Sequence, residues 1–115
     1  MLVCINRRSH THRLIRQSGS FSVNYPATEH EPLAELFARQ FADPDAKFKL
    51  GSWERGSIGS PILLEALATV QCTVHRQLDE GTHSVFIGKV VDVTSSPECA
   101  PLLYARHRLA HLAAE

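Results

Sequence analysis

From Gly81 to Val93 the chain alternates with period two: His83, Val85, Ile87, Lys89 and Val91 point one way, and Ser84, Phe86, Gly88, Val90 and Asp92 the other. Ala66 to His75 alternates in the same way, with Ala66, Ala68, Val70, Cys72 and Val74 against Leu67, Thr69, Gln71, Thr73 and His75. Both runs are rich in β-branched side chains, and Asp79, Glu80 and Gly81 between them are turn residues. The pattern predicts a long antiparallel hairpin with His83 at its tip. Gly88 in mid-strand marks a bulge or a close approach to the backbone.

Elsewhere the period changes. Leu2 to Ile5 is a short apolar run that predicts a buried strand. Ser9 is a good N-cap and Gly19 a good stop, so a helix is expected over 10–18, with Leu14 and Ile15 facing the core. Ser20 to Tyr25 reads as a strand with Phe21, Val23 and Tyr25 on one face, stopped by Pro26. Thr28 with Glu31 is a capping box for a second helix, where Leu33, Leu36, Phe37 and Phe41 recur at helical spacing. Asp43 to Pro61, punctuated by Pro44, Gly51, Gly56, Gly59 and Pro61, reads as a long loop. After the hairpin come a turn over 94–100, a short strand over 101–104 and a strand or helix over 106–112. The sum is a mainly β chain with two helices.

A length of 115 residues suits one domain with one core. Lys plus Arg and Asp plus Glu are 12 each, so no bulk charge points to nucleic acid or an anionic membrane. No apolar run approaches the about 18 residues that span a bilayer, and the opening MLVCINRR is not a signal peptide. Cys4, Cys72 and Cys99 are odd in number and far apart, which points to reduced thiols in a cytoplasmic protein.

Asn6, Arg7, Arg8, Ser9 and Thr11 cluster at the start of the first predicted helix. Free N–H groups, hydroxyls and arginines there make a seat for phosphate, although Ser9 and Thr11 also serve as plain capping residues. His10 and His12 diverge on a helix and make a poor metal pair. His107 and His111 are spaced for metal if helical, but no third ligand accompanies them. Lys47 beside Phe48 reads equally as a solvated lysine, and His83 as an exposed strand end.

CINRRSHTHRLIRQSGSFSVNYPATEHEPLAELFA resembles the middle of the flavin reductase domain family, the FMN-binding split barrels. The resemblance rests on Cys4, Asn6, Ser9, Thr11, Phe21, Val23, Asn24, Leu33, Ala34 and Phe37 in that order. Lys47 and Phe48 match a K-F pair, and Ser60, Pro61 and the run to Leu67 match a further stretch. Cys72 is similarly placed, GTHSVFIGKVVDV is similar to a G-D-H-x-x-x-x-G-x-V signature, and PLLYARHRL resembles the closing P-L-x-Y-x-R. Thr82 stands where the family usually has Asp, and Leu109 where an aromatic is common.

The resemblance implies part of a six-stranded Greek-key split β-barrel, one domain over the whole chain lacking the family's first two strands. It implies transfer of hydride from NADH or NADPH to FMN or FAD, a homodimer, and reduced flavin supplied to a partner monooxygenase. By the same resemblance Cys4, Ile5, Asn6, Ser9 and Thr11 line the ribityl and phosphate side of the flavin, and Lys47 and Phe48 come from the long loop. Tyr104, Arg106 and His107 lie on the nicotinamide side with His83, the candidate catalytic residue. A flavin-binding module without turnover and an inactive dimeric interaction domain are the alternatives.

Overall fold

The structure, a computed structural model, describes residues 1–39 and 43–113. Phe41, expected on the second helix, lies outside the described residues. The chain divides into two compact units: Met1–Val23 with Arg55–Pro61 and Val70–Val93, and Asn24–Glu54 with Ile62–Thr69 and Thr94–Glu115.

Strands β1 (Leu2–Asn6), β2 (Ser20–Tyr25), β5 (Ala68–Glu80) and β6 (His83–Ser95) form a sheet of order β1-β6-β5-β2. β1 is therefore an edge strand, antiparallel to β6, with Asn6 opposite His83 and Ile5 opposite Ser84. Only Val3 and Ile5 of β1 pack inward; Leu2 and Cys4 are exposed, so the strand is half-buried rather than wholly buried. The hairpin is tighter than expected. Asp79 and Glu80 remain in β5, and Gly81, with φ of 57°, and Thr82 make the turn.

In the first unit, helix α1 (His10–Ser18) is capped by Ser9 and closed by Gly19 in the left-handed conformation, as its end signals require. Its inward residues are His12 and Ile15; Leu14 is exposed, contrary to expectation. Ile15 joins Phe21, Cys72 and Phe86 in the core, flanked by Val3, Ile5, Val23, Val70 and Val74. The inward residues of β6 are Ser84, Phe86 and Gly88, so the period-two reading put that strand's faces correctly.

In the second unit the chain enters helix α2 (Glu31–Ala38) through a 3₁₀ turn over Thr28–His30. No side-chain cap comes from Thr28. Instead His30 Nδ1 accepts from the Ala27 amide at 3.0 Å. The expected loop over 43–61 holds helix α3 (Pro44–Lys47) and strand β3 (Trp53–Arg55), which pairs with β4 (Pro61–Leu63). Leu33, Leu63 and Ala66 form the core, with Trp53 packed against them. Asn24 Oδ1 accepts from the Leu63 amide and the Thr69 hydroxyl, each at 2.9 Å. The chain ends in a hairpin of β7 (Leu103–Ala105) and β8 (Arg108–Ala110), so His107 and His111 share no helix. The described strands form antiparallel sheets and do not close into a barrel.

Candidate functional site

The end of β1, the start of α1 and the start of β6 meet in the first unit. Asn6 turns the chain from strand to helix. Its Oδ1 accepts from the Arg8 amide at 2.9 Å, and its carbonyl accepts from the Ser9 amide and hydroxyl at 3.1 and 2.8 Å. Ser9 Oγ in turn accepts from the His12 amide at 3.1 Å, which satisfies one of the helix's unpaired N–H groups. Around this helix start, Arg7, Arg8, Ser9, His10 and Arg13 line an open groove of about 350 Å³. Three arginines and a helix N-terminus border it, an arrangement that attracts an anion. Thr11 is exposed on the first turn.

His83 is exposed beside this groove's strand edge, and its Nδ1 is 2.8 Å from Thr82 Oγ1. The Thr82 side chain thus holds the ring where the related pattern has a carboxylate. Arg7 reaches the same turn: its amide donates to Thr82 O at 2.9 Å and its Nη1 to Gly81 O at 3.3 Å. Of the residues expected to form the site, Cys4, Ile5, Asn6, Ser9, Thr11 and His83 therefore come together on two strands and one helix start.

The remaining candidates lie in the second unit, in two places. Lys47 Nζ donates to Phe37 O at 3.4 Å and stands 5.6 Å from the centre of the Phe37 ring. Phe48 packs edge-on against Phe37 and Trp53, with ring centres 5.5 and 5.0 Å apart. Tyr104 is 69% exposed and pairs across the last hairpin with Leu109. Arg106 and His107 form the turn of that hairpin with φ of 51° and 65°, a left-handed pair that ordinarily favours Asn and Gly. The turn displays both side chains to solvent at a conformational cost.

Sequence reasoning missed a buried polar chain next to the first group. His12 is 5% exposed and Ser84 wholly buried, and His12 Nε2 lies 2.7 Å from Ser84 Oγ. Ser84 donates to Asp79 Oδ1 at 2.6 Å, and Asp79 Oδ2 lies 3.8 Å from Arg7 Nη2. The Ser84 hydroxyl, then Gln77, hold the Asp79 carboxyl below its ordinary range, with smaller help from Arg7 and Arg16. The available signal was spacing: His12 lies three residues before Ile15, and Ser84 shares the face of Phe86.

A family model described as "Flavin reductase like domain" matches residues 1–113. The FMN reductase (NADH) RutF of Agrobacterium fabrum is 32% identical over 108 residues, covering 94% of this chain and 62% of the relative. The reductase component of the FADH(2)-dependent resorcinol hydroxylase of a Rhizobium species is 35% identical over 104 residues, covering 90% of this chain and 58% of that protein. Among solved structures, the NADH:FAD oxidoreductase SgcE6 of Streptomyces globisporus superposes with a TM-score of 0.88 at 26% identity, covering 98% of this chain and 68% of that one. The chain spans about three-fifths of the length of these curated relatives. The fold is mainly β, with antiparallel sheets of the split-barrel type found in flavin reductases, and carries one short helix more than expected. With the family model matching nearly its whole length, the chain belongs to the flavin reductase like domain family.

Proposed function

We propose that this chain forms one flavin-reductase-like domain that binds FMN or FAD and takes part in hydride transfer to it from NADH or NADPH. The observation that carries the reading is the basic groove at the start of α1, beside the β1–β6 edge that bears Asn6 and His83. The groove suits the flavin phosphate: amides of the helix's first turn donate, and Arg7, Arg8 and Arg13 neutralise charge. When bound, the flavin supplies the hydride-accepting chemistry itself, so the protein's task is to bind, align and exclude water. Asn6, Ser9 and Thr11 serve the ribityl and phosphate side. His83, and in the second unit Tyr104, Arg106 and His107, serve the nicotinamide side. Lys47 and Phe48 belong to the flavin side as well.

Reduced flavin would pass to a partner monooxygenase. The name of the Rhizobium relative, a reductase component of a hydroxylase, supports that partner class. The homodimer is supported by exposed apolar residues on the sheet: Leu2 on the edge strand and Val90, Val91 and Val93 on β6. Three unpaired thiols support a cytoplasmic setting, and no helix among the described residues is long and apolar enough to cross a membrane.

The test is a titration of FMN and riboflavin into the chain, followed by flavin fluorescence. The reading expects FMN to bind more tightly than riboflavin, because only FMN brings a phosphate to the groove. Equal weak affinity for both would remove the groove from the site.

A further inference from the structure

His12 is engaged twice. Its backbone N–H donates to Ser9 Oγ, and its ring bonds to Ser84 across 2.7 Å. Asp79 is exposed and ionised at neutral pH, hence an acceptor only, so the single Ser84 proton goes to Asp79 Oδ1. Ser84 Oγ must then accept from His12, which fixes the imidazole with hydrogen on Nε2. The ring also leans on Phe86, its centre 5.3 Å from that of the phenyl group.

These bonds join into a loop. From Asn6 O the path runs through Ser9 Oγ, His12 and Ser84 to Asp79, crosses to Arg7 at 3.8 Å, and returns through the Arg7 amide to Thr82 O at 2.9 Å. The path passes through residues that flank Asn6 and His83, which are paired on β1 and β6. A leucine at position 12 would fit the neighbouring apolar core. A histidine and a serine buried there cost stability unless their buried polar atoms are matched, and among the described residues no fully buried side-chain nitrogen or oxygen lacks a partner.

We propose that His12 is a positioning residue: through Ser84 it holds the start of α1, with Ser9 and Thr11, in a fixed relation to His83 on β6. It touches no ligand itself. It acts on the site through the residues at either end of the chain of bonds. The relation to flavin rests on the function proposed above; the mechanical coupling does not.

The test uses the full chain with His12→Leu, His12→Gln, Ser84→Ala and the Leu/Ala double variant. Each is read by FMN affinity, by the amide resonances of Ser9, Thr11 and His83, and by the melting temperature. His12→Leu and Ser84→Ala should each weaken FMN by about tenfold, the scale of one lost polar contact. The double variant should weaken it no further, because both break one link. His12→Gln keeps an N–H donor within reach and should restore affinity to within about threefold of wild type. His12→Leu should move the His83 resonance, and Ser84→Ala those of Ser9 and Thr11. A merely structural His12 would lower the melting temperature in all variants yet leave FMN affinity, measured well below melting, unchanged. Wild-type affinity in His12→Leu with an unmoved His83 resonance would overturn the proposal. Should the leucine variant not fold, His12→Gln against the shorter His12→Asn gives the same comparison. If the wild-type chain takes up no FMN, the flavin reading fails by itself, and the resonances still decide the coupling.

Discussion

Gly88 on β6 lies so close to Phe21 on β2 that a Cβ there would stand 2.6 Å from the ring's Cζ and 2.7 Å from Cys72 Cβ. The glycine lets the two strands and the phenyl ring share the centre of the first unit's core. Gly88→Ala should therefore destabilise by about 2 kcal/mol, the scale of overpacking in a tight core, despite the methyl's small size. Urea melts of the two proteins measure this; an equal midpoint would show that Phe21 can turn aside freely.

The three thiols differ in access. Cys4 is exposed on the edge strand, whereas Cys72 is wholly buried and burial pushes its thiol pKa up. A chromogenic disulfide reagent should label Cys4 in the folded chain and reach Cys72 only on unfolding. The sign of the pH effect follows from the raised pKa: stability from the neutral Cys72 thiol is present below about pH 8.5 and is lost as pH rises past it, because the unfolded thiol ionises first. Cys72→Ala should flatten the alkaline arm of the melting curve.

Asp79 titrates in the opposite sense. Its carboxyl is held below the ordinary value mainly by the Ser84 hydroxyl, so its contribution is present above about pH 4 and is lost as pH falls through the lower folded value. Asp79→Asn should be less stable than wild type at neutral pH, with the gap closing in acid. Parallel melts from neutral pH to pH about 3 test this; a constant gap would remove Asp79's charge from the link with Ser84.

Ser9→Ala with Thr11→Ala should weaken FMN binding by about 1–3 kcal/mol, as for lost hydrogen bonds to a charged group, and leave riboflavin binding nearly unchanged. Isothermal titration of both flavins reads the difference. A uniform loss for the two ligands would point to damage of the helix cap rather than loss of a phosphate contact.

Local signals carried much of the fold. Ser9 and Gly19 bound α1 because a cap and a left-handed stop act within a few residues. Period-two alternation put Ser84, Phe86 and Gly88 on one face of β6 for an equally local reason, and that face is the buried one. What failed depends on neighbours distant in sequence. Leu14 yields the inward position to His12 because Ser84, 72 residues on, supplies a partner for the imidazole. The segment over 43–61 reads as loop by its glycines and prolines, yet Trp53–Arg55 finds a strand partner in Pro61–Leu63. The left-handed turn at Arg106 and His107 carries no turn residue and was hidden by its own composition. Asn6, Ser9 and His83 were legible as separate motifs, but the pairing of Asn6 with His83 needed the sheet register.

Mixing this chain anaerobically with FMN and NADH, and following both chromophores, decides whether it binds flavin and takes part in its reduction. The absorbance of oxidised FMN and of NADH should fall together, one for one, faster than without protein, and His83→Ala should slow the loss without lowering the melting temperature. FMN that binds but stays oxidised at the protein-free rate would contradict reduction by this chain and leave it a flavin-binding module. FMN that neither binds nor bleaches would contradict the flavin site itself.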